Sequence, residues 1–297
     1  QFSDILKDKE EWYTIHKKDI DSGKNNPETG LPYEEYDNPY YGFPKMLRFA
    51  FNLPEEIQTN LLRSKQHYTL NDLLITNKLQ DTKFLYEKEV LKLLKIIDGK
   101  ETDSRVLSFL NVPKIKDNEV CKHIVMVLPY KYSCDAMEDL LNINKGNFIN
   151  LGNYKVLNIT GHKSPREFDN VEKVKEEIKK CEKAGVKTIT LTVNKMLTGV
   201  TVPEWDTMIM LKNTKSAQEY DQAIFRIQNQ YVKEIETINE DGSKRIAKID
   251  MKPQTILVDF DPIRMFEIQG LSTRIVSDLN QDNIDLDDAL NAELNFF

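Results

Sequence analysis

The chain has 297 residues, of which 40% are hydrophobic and 9% aromatic, enough to bury the core of one large domain or two modest ones. Its formal net charge of -7 excludes a global basic field, so any contact with nucleic acid must be local. Three separated cysteines without a CxxC pair and four scattered histidines predict no metal site and favour reduced thiols in a cytoplasmic protein. No apolar run approaches the ~20 residues of a membrane span, so we expect no membrane partner.

Residues 1–120 predict a mostly helical lead-in. Residues 26–44 are rich in proline, glycine and tyrosine, and they predict an ordered loop. Its tyrosines could stack nucleobases, but pinning of the loop to the domain is the simpler interpretation because no basic residues interleave with them. A strand is predicted after this loop, and an amphipathic helix is predicted at 84–97. The chain opens on Gln1 rather than methionine, which suggests either a trimmed chain or a piece of a longer polypeptide.

From residue 121 onward, short apolar runs alternate with helical periods, the pattern of a parallel sheet flanked by helices. Five strands are predicted at 123–128, 155–159, 188–193, 207–211 and 255–260. We therefore expect an α/β domain over 121–270, followed by an acidic tail or helix over 271–297.

Crossover helices are predicted between these strands. The first has Ser133 as its N-cap, and the second has an apolar face and ends at Gly185. The dipeptide Asp241-Gly242 between two alternating segments predicts a β-hairpin inserted at 231–253. The basic residues of this hairpin could contact DNA, although an exposed ribbon of alternating charge is the simpler description.

Ligand-binding residues are predicted at the carboxyl ends of the strands, where open α/β sheets bind ligands. Thr198 and Gly199 follow the third strand: glycine allows close approach of a phosphate, and the threonine hydroxyl can donate to it. A plain tight turn explains the same two residues equally well.

Two further groups are candidate nucleic-acid contacts. Tyr130 and Ser133 follow the first strand at a helix N-terminus, with plain capping as the alternative. Thr160, His162 and Lys163 follow the second strand and could contact phosphates or form a solvated turn. A general-base role for His162 is not expected.

The segment from Ser216 to Asn229 predicts one amphipathic helix with a capping-box start. Its buried stripe consists of Tyr220, Ala223, Ile224 and Ile227. On a neighbouring face, Gln222, Arg226 and Asn229 stack two amides and a guanidinium. Arg226 either pairs with a local acid, Asp221 or Glu219, or reaches for a ligand outside the helix.

The order of these segments carries a family resemblance. TLTVNKMLTGVTVPEW followed by AIFRIQN resembles the fifth and sixth conserved motifs of superfamily 2 helicases and translocases. More narrowly, it resembles the motor subunits of type I, type ISP and related restriction systems. PKMLRFAFNL, YTLNDLLITN and KHIVMVLPYKYSCDAMEDLL are similar to further segments of those proteins, so the likeness spans about residues 40–270. The resemblance implies a RecA-like fold. It also implies that the chain is the second motor lobe of a DNA translocase.

The resemblance also implies residue roles. Arg226 would be an arginine finger that reaches the γ-phosphate of ATP held by the other lobe, with Gln222 steadying the nucleotide side. Thr198 and Gly199 would couple the ATP state to the DNA backbone. Asn229 stands where the family has a second arginine and is assigned to the cofactor-binding set. Phe225 and Thr201 replace a family glycine and aspartate, and we interpret both as features of the restriction-related branch.

Half of an ATP site is missing from the sequence. There is no GxxxxGK[ST] loop and no Walker B-like acidic pair, and we reject Asp259 and Asp261 as metal ligands because no phosphate loop precedes their strand. ATP and Mg²⁺ would be held mainly by a first lobe of the same polypeptide, so this chain alone is expected to bind neither and to hydrolyse nothing. The candidate partners are DNA, contacted at the duplex backbone, the first lobe, and nuclease or methyltransferase modules.

Two other classes stay open. A catalytically inert RecA-like interaction module would keep the scaffold and make Arg226 dispensable. A Rossmann-like enzyme acting on a small molecule is disfavoured because no GxGxxG turn is present.

Overall fold

The computed structural model describes residues 2–64, 67–77, 83–112, 120–162, 168, 170–193, 201–214, 216–238 and 244–263. The α-helices in these ranges are α1 Phe2–Asp21, α2 Glu55–Ser64, α3 Leu70–Leu73, α4 Glu87–Asp98, α5 Lys131–Ile143, α6 Val171–Lys183 and α7 Ala217–Ile224. The strands are β1 Lys45–Ala50, β2 His123–Val127, β3 Tyr154–Asn158, β4 Lys187–Thr192, β5 Thr207–Met210, β6 Val232–Ile238, β7 Lys244–Asp250 and β8 Gln254–Asp259.

Six of the described strands form one parallel sheet in the order β1-β8-β5-β2-β4-β3. The five strands predicted from apolar runs are confirmed to within one residue at each end, and so is the α/β class with a parallel sheet flanked by helices. The edge strand β1 comes from the predicted lead-in and pairs with β8 from Lys45↔Gln254 to Ala50↔Asp259. One sheet thus contains strands from both sides of the predicted boundary at residue 121, and that boundary itself stays a prediction.

The sheet is covered on both faces, which explains why its central strands are continuous apolar runs rather than alternating ones. Every residue of β2 is buried. On one face, Ile124 of β2 belongs to a core that includes Ile57 of α2 and Leu94 of α4. On the other face, Val125 belongs to a core shared with Ile178 of α6 and Tyr220 of α7.

The crossover helices confirm one predicted end and correct one predicted start. Helix α6 ends as expected, since Gly185 follows it with a φ of 68° that an L-residue rarely adopts. Helix α5 begins one turn earlier than expected, with Tyr130 rather than Ser133 as the N-cap. Ser133 is fully buried, and its hydroxyl donates to the carbonyl oxygen of Leu74 at 2.7 Å, so it joins α5 to the end of α3 instead of capping.

The predicted hairpin is confirmed as an antiparallel β6–β7 ribbon, with its turn residues 239–243 outside the described ranges. Two of the basic residues considered for DNA contact have acidic partners: Lys244 pairs with Glu236 at 3.1 Å, and Arg245 pairs with Glu34 at 2.8 Å. These pairs support the description of a ribbon of alternating charge over that of a DNA contact.

The tyrosine loop is fastened to this ribbon, which confirms the predicted pinning role. The Tyr41 hydroxyl donates to the carbonyl oxygen of Lys248 at 3.2 Å and accepts from the amide of Asp250 at 3.0 Å. Helix α1 contacts the same loop through Trp12 and Tyr33, whose rings meet edge to face at 6.3 Å. The predicted acidic tail lies outside the described residues. Across the part of the chain that is described, every helix is too short or too polar to cross a lipid bilayer.

Candidate functional site

Helix α7 begins as predicted but ends earlier. The Ser216 side chain accepts a hydrogen bond from the Glu219 amide at 3.2 Å, and the helix stops at Ile224. A tight turn follows, in which the amides of Arg226 and Ile227 donate to carbonyls three residues back. The prediction of one helix through Asn229 is therefore wrong in its second half. Ile227 nevertheless stays fully buried, because the turn keeps it in the core that α7 joins.

Arg226 sits half-buried on this turn with an unsatisfied donor. Its Nε is buried and has no hydrogen-bond partner within the described residues. Glu219, one of the two local acids considered as a partner, is engaged elsewhere: its carboxylate accepts from Lys212 Nζ at 2.9 Å and from the Thr214 hydroxyl at 2.5 Å. A buried donor left unpaired costs about 1–3 kcal/mol. The described contacts therefore engage Glu219 away from Arg226, and they leave Asp221, the other local acid, and a ligand outside the helix as the alternatives for this arginine.

Asn229 and Gln222 flank the arginine in different ways. The Asn229 side-chain amide donates to the backbone carbonyl of Arg226 at 3.1 Å, so it fastens the turn that carries the guanidinium. Gln222 is half-buried on α7, four residues before Arg226. The three polar residues thus lie on one short segment, although not on one continuous helix face.

The helix that carries this turn is anchored to the sheet. The Tyr220 hydroxyl donates to Asp259 Oδ2 at 2.7 Å, and the other oxygen of Asp259 accepts from the amide of Asp261 at 2.9 Å. Asp261 in turn accepts from the Asn213 side-chain amide at 2.7 Å. Both carboxylates therefore have structural hydrogen bonds at the end of β8.

Two predicted nucleic-acid contacts have buried hydroxyls. Thr160 is buried with its Oγ1 3.2 Å from the sulfur of Cys134, and the Ser133 hydroxyl is committed to Leu74. We therefore correct both assignments: neither hydroxyl is available to a phosphate, because each closes a contact between α5 and its neighbours. Tyr130, in contrast, is 44% exposed. The remaining predicted residues Lys163, Thr198 and Gly199 lie outside the described residues.

His162 is exposed and is held in place by a carboxylate that sequence reasoning did not single out. Asp135 of α5, only 1% exposed, accepts from the His162 backbone amide at 2.6 Å and from the Asn158 side-chain amide at 2.9 Å. Gly161 fits tightly between them, since a Cβ there would lie 1.8 Å from Asp135 Oδ1. The His162 ring stacks on Tyr132, with ring centroids 4.0 Å apart and planes inclined by 25°.

A second polar cluster lies at the opposite, amino-terminal edge of the sheet, before β2, β5 and β8. Burial raises the pKa of Asp206 to about 6 and lowers the pKa of Lys252 to about 8. Lys252 Nζ donates to the carbonyl oxygens of Pro203 at 2.8 Å and Trp205 at 3.1 Å. Burial also lowers the pKa of His123 to about 4. These groups join strand starts to one another, and we interpret the cluster as structural.

Comparison with known proteins gives partial matches. No protein-family model matches the chain. A Mycoplasma pneumoniae protein named "Putative type II restriction enzyme and methyltransferase RM.MpnORF110P C-terminus" is 34% identical over 164 residues, which is 53% of this chain and 21% of that protein. The chain therefore spans about a fifth of that relative's length.

One solved structure shows a low likeness to the chain. The crystal structure of the C-terminal part of the Fun30 ATPase domain matches with a TM-score of 0.29 and 16% identity, covering 62% of this chain and 54% of the other. The fold itself is an α/β module with a six-stranded parallel sheet, and the sequence relative is a protein whose name refers to restriction and methylation.

Proposed function

We propose that this chain is the second RecA-like motor lobe of an ATP-dependent DNA translocase or helicase belonging to a restriction system. The motif order in the sequence, the parallel sheet that it forms, and the similarity to a restriction-related relative support this proposal. The observation that carries it is Arg226, a guanidinium on an anchored turn whose buried Nε lacks a partner within the described residues.

The chain's own contribution would be to hold that guanidinium ready for an anion. The Tyr220–Asp259 hydrogen bond fixes α7 to β8. The buried side chain of Ile227 holds the turn in the core, and the Asn229 side-chain amide donates to the Arg226 carbonyl oxygen. A donor that is already in place needs little reorganisation when negative charge develops next to it.

The anion would be the γ-phosphate of ATP. ATP with Mg²⁺, held mainly by a first lobe, would supply the phosphoryl group whose developing charge an arginine stabilises. Gln222 would steady the nucleotide side, while Asn229 would support Arg226 in addition to, or instead of, contacting the nucleotide. Thr198 and Gly199 keep their proposed role in coupling this site to the DNA backbone. The proposed partners are DNA, contacted at the duplex backbone, the first lobe, and nuclease or methyltransferase modules.

The test is DNA-stimulated ATP hydrolysis by the natural full-length gene product. We expect Arg226→Ala to lower kcat by about 10³-fold or more, the range found for arginine fingers. Arg226→Lys should rescue little, because an ammonium lacks the planar fork of donors. Arg105→Ala, which removes an exposed arginine paired with Glu55, is the matched control and should leave turnover unchanged. A kcat for ATP hydrolysis that is unchanged in Arg226→Ala would favour the catalytically inert interaction module instead.

A further inference from the structure

We propose that Tyr132 and His162 form a stacking platform for a nucleobase of unpaired DNA. The proposal rests on the proposed function, because it takes DNA as the ligand. The two rings stack with centroids 4.0 Å apart, and yet both residues stay exposed, Tyr132 at 36% of its surface. Proteins that bind single-stranded nucleic acid commonly stack its bases on exposed aromatic side chains.

The platform is built before any ligand arrives. Tyr132 is the second residue of α5, and Asp135, one turn further along the same helix, holds the His162 backbone amide at 2.6 Å. Both rings are thus fixed relative to one helix. That helix is set against the sheet by buried side chains such as Met137, and Asn158 at the end of β3 donates to the same Asp135.

The chemistry of this surface selects a base face rather than a phosphate. The two aliphatic hydroxyls among the candidate phosphate contacts here, on Ser133 and Thr160, are buried and engaged. What the described surface offers instead is the pair of ring faces, beside the exposed Lys131 that can neutralise a passing backbone. A base within a duplex is covered on both faces by its neighbours, so the fitting ligand is a base of an unpaired strand.

The structure also indicates why the pair is held so closely. Gly161, between Asn158 and His162, leaves no room for a Cβ, because Asp135 Oδ1 would be 1.8 Å away. The loop after β3 is therefore pressed against α5, and His162 has its ring over Tyr132 as a result. Every base has an aromatic face that can stack, so the platform should bind unpaired DNA regardless of its base sequence.

The experiment measures binding of fluorescent oligonucleotides to the 297-residue chain by anisotropy, without nucleotide. The probes are a thymidine single strand, a strand of equal length with abasic sites, and a duplex. We expect Tyr132→Ala to weaken binding of the thymidine strand by about 5- to 150-fold, the range for one stacked base. Tyr132→Phe keeps the ring and should bind like the unchanged chain, and thermal unfolding verifies that each variant is folded.

The abasic strand separates base stacking from backbone contact. The proposal expects the unchanged chain and Tyr132→Ala to bind this strand equally. An equal loss on both strands would overturn it, since the contact would then be to the backbone, and so would a Tyr132→Ala variant that loses nothing. Failure of the chain to bind any single strand would also overturn it, while the role proposed for Arg226 is decided separately by ATP hydrolysis.

Discussion

Tyr220 and Asp259 join the helix that leads to Arg226 to strand β8 through a buried hydrogen bond of 2.7 Å. The tyrosine belongs to the buried stripe of α7, and the aspartate is fully buried at the carboxyl end of β8. The position of the arginine turn therefore depends on a polar contact inside the domain as well as on apolar packing.

Removal of this contact should destabilise the protein. Tyr220→Phe deletes one hydrogen-bond partner of a buried side chain, and leaving a buried polar group without a partner costs about 1–3 kcal/mol. We expect urea denaturation to show a loss of unfolding free energy in that range. Tyr13→Phe, which removes an exposed and longer bond of 3.3 Å to the Glu35 carbonyl, is the control and should lose much less. Equal losses of unfolding free energy in the two variants would show that the Tyr220–Asp259 hydrogen bond contributes no more to stability than an exposed one.

Asn229 allows a positioning role to be separated from a nucleotide contact. Asn229→Ala removes the donor to the Arg226 carbonyl, and a lost hydrogen bond of about 1 kcal/mol corresponds to roughly a 5-fold fall in kcat. If Asn229 only positions the turn, the KM for ATP should not change. A raised KM with kcat preserved would instead assign Asn229 to the nucleotide, as the sequence pattern predicts. Steady-state ATP hydrolysis by the full-length gene product distinguishes the two results.

Gly161 should tolerate no side chain. In Gly161→Ala, the Cβ would come within 1.8 Å of Asp135 Oδ1 and 2.6 Å of Asn158 Nδ2, so the loop after β3 must move. Overpacking of this kind costs about 1–3 kcal/mol. Gly146→Ala is the matched control, because nothing lies within 4 Å of its added Cβ. Thermal unfolding should show a lower Tm for the first variant alone, and similar Tm values would contradict the tight fit.

The buried His123 predicts a loss of stability in acid. Burial lowers the pKa of this imidazole from 6.5 to about 4, so between these pH values the unfolded chain binds a proton that the folded chain does not. Its contribution is therefore present above pH 6.5 and lost as the pH falls towards 4, by at most about 1.4 kcal/mol per pH unit. Asp206 acts in the opposite sense, because burial raises its pKa to about 6.

The measurement is therefore a difference between variants. The unfolding free energy of the unchanged chain minus that of His123→Gln should decrease as the pH is lowered from 6.5 to 4. His162→Gln, at an exposed histidine, is the control for the general effect of removing an imidazole. A difference that stays constant with pH would show that His123 titrates normally in the folded state.

The strands were predictable because a parallel sheet covered on both faces needs continuous apolar runs, and His123–Val127 is such a run with every residue buried. The early end of α7 could not be predicted from the sequence, because Ile227 continues the helical spacing and stays buried even though the helix has ended in a turn. Periodicity reports which residues face the core and does not distinguish a last helical turn from a tight turn that buries the same residue.

Contacts distant in sequence set the other limit. Ser133 is a residue type that is common at helix N-caps, but its hydroxyl donates to the carbonyl oxygen of Leu74, 59 residues earlier. The stack of Tyr132 on His162 likewise joins the start of α5 to the loop after β3. Local sequence patterns could place each of these residues at a strand end or helix start, but their partners follow only from the order of strands in the sheet.

The central claim is that Arg226 stabilises the transition state of ATP hydrolysis, and nucleotide affinity tests it most directly. We would measure binding of ADP with aluminium fluoride, and of a non-hydrolysable ATP analogue, to the DNA-bound full-length gene product and its Arg226→Ala variant. The account predicts that the variant loses about 10³-fold or more in affinity for the transition-state analogue and far less for the ground-state analogue. Equal losses for both analogues, or no loss for either, would contradict it.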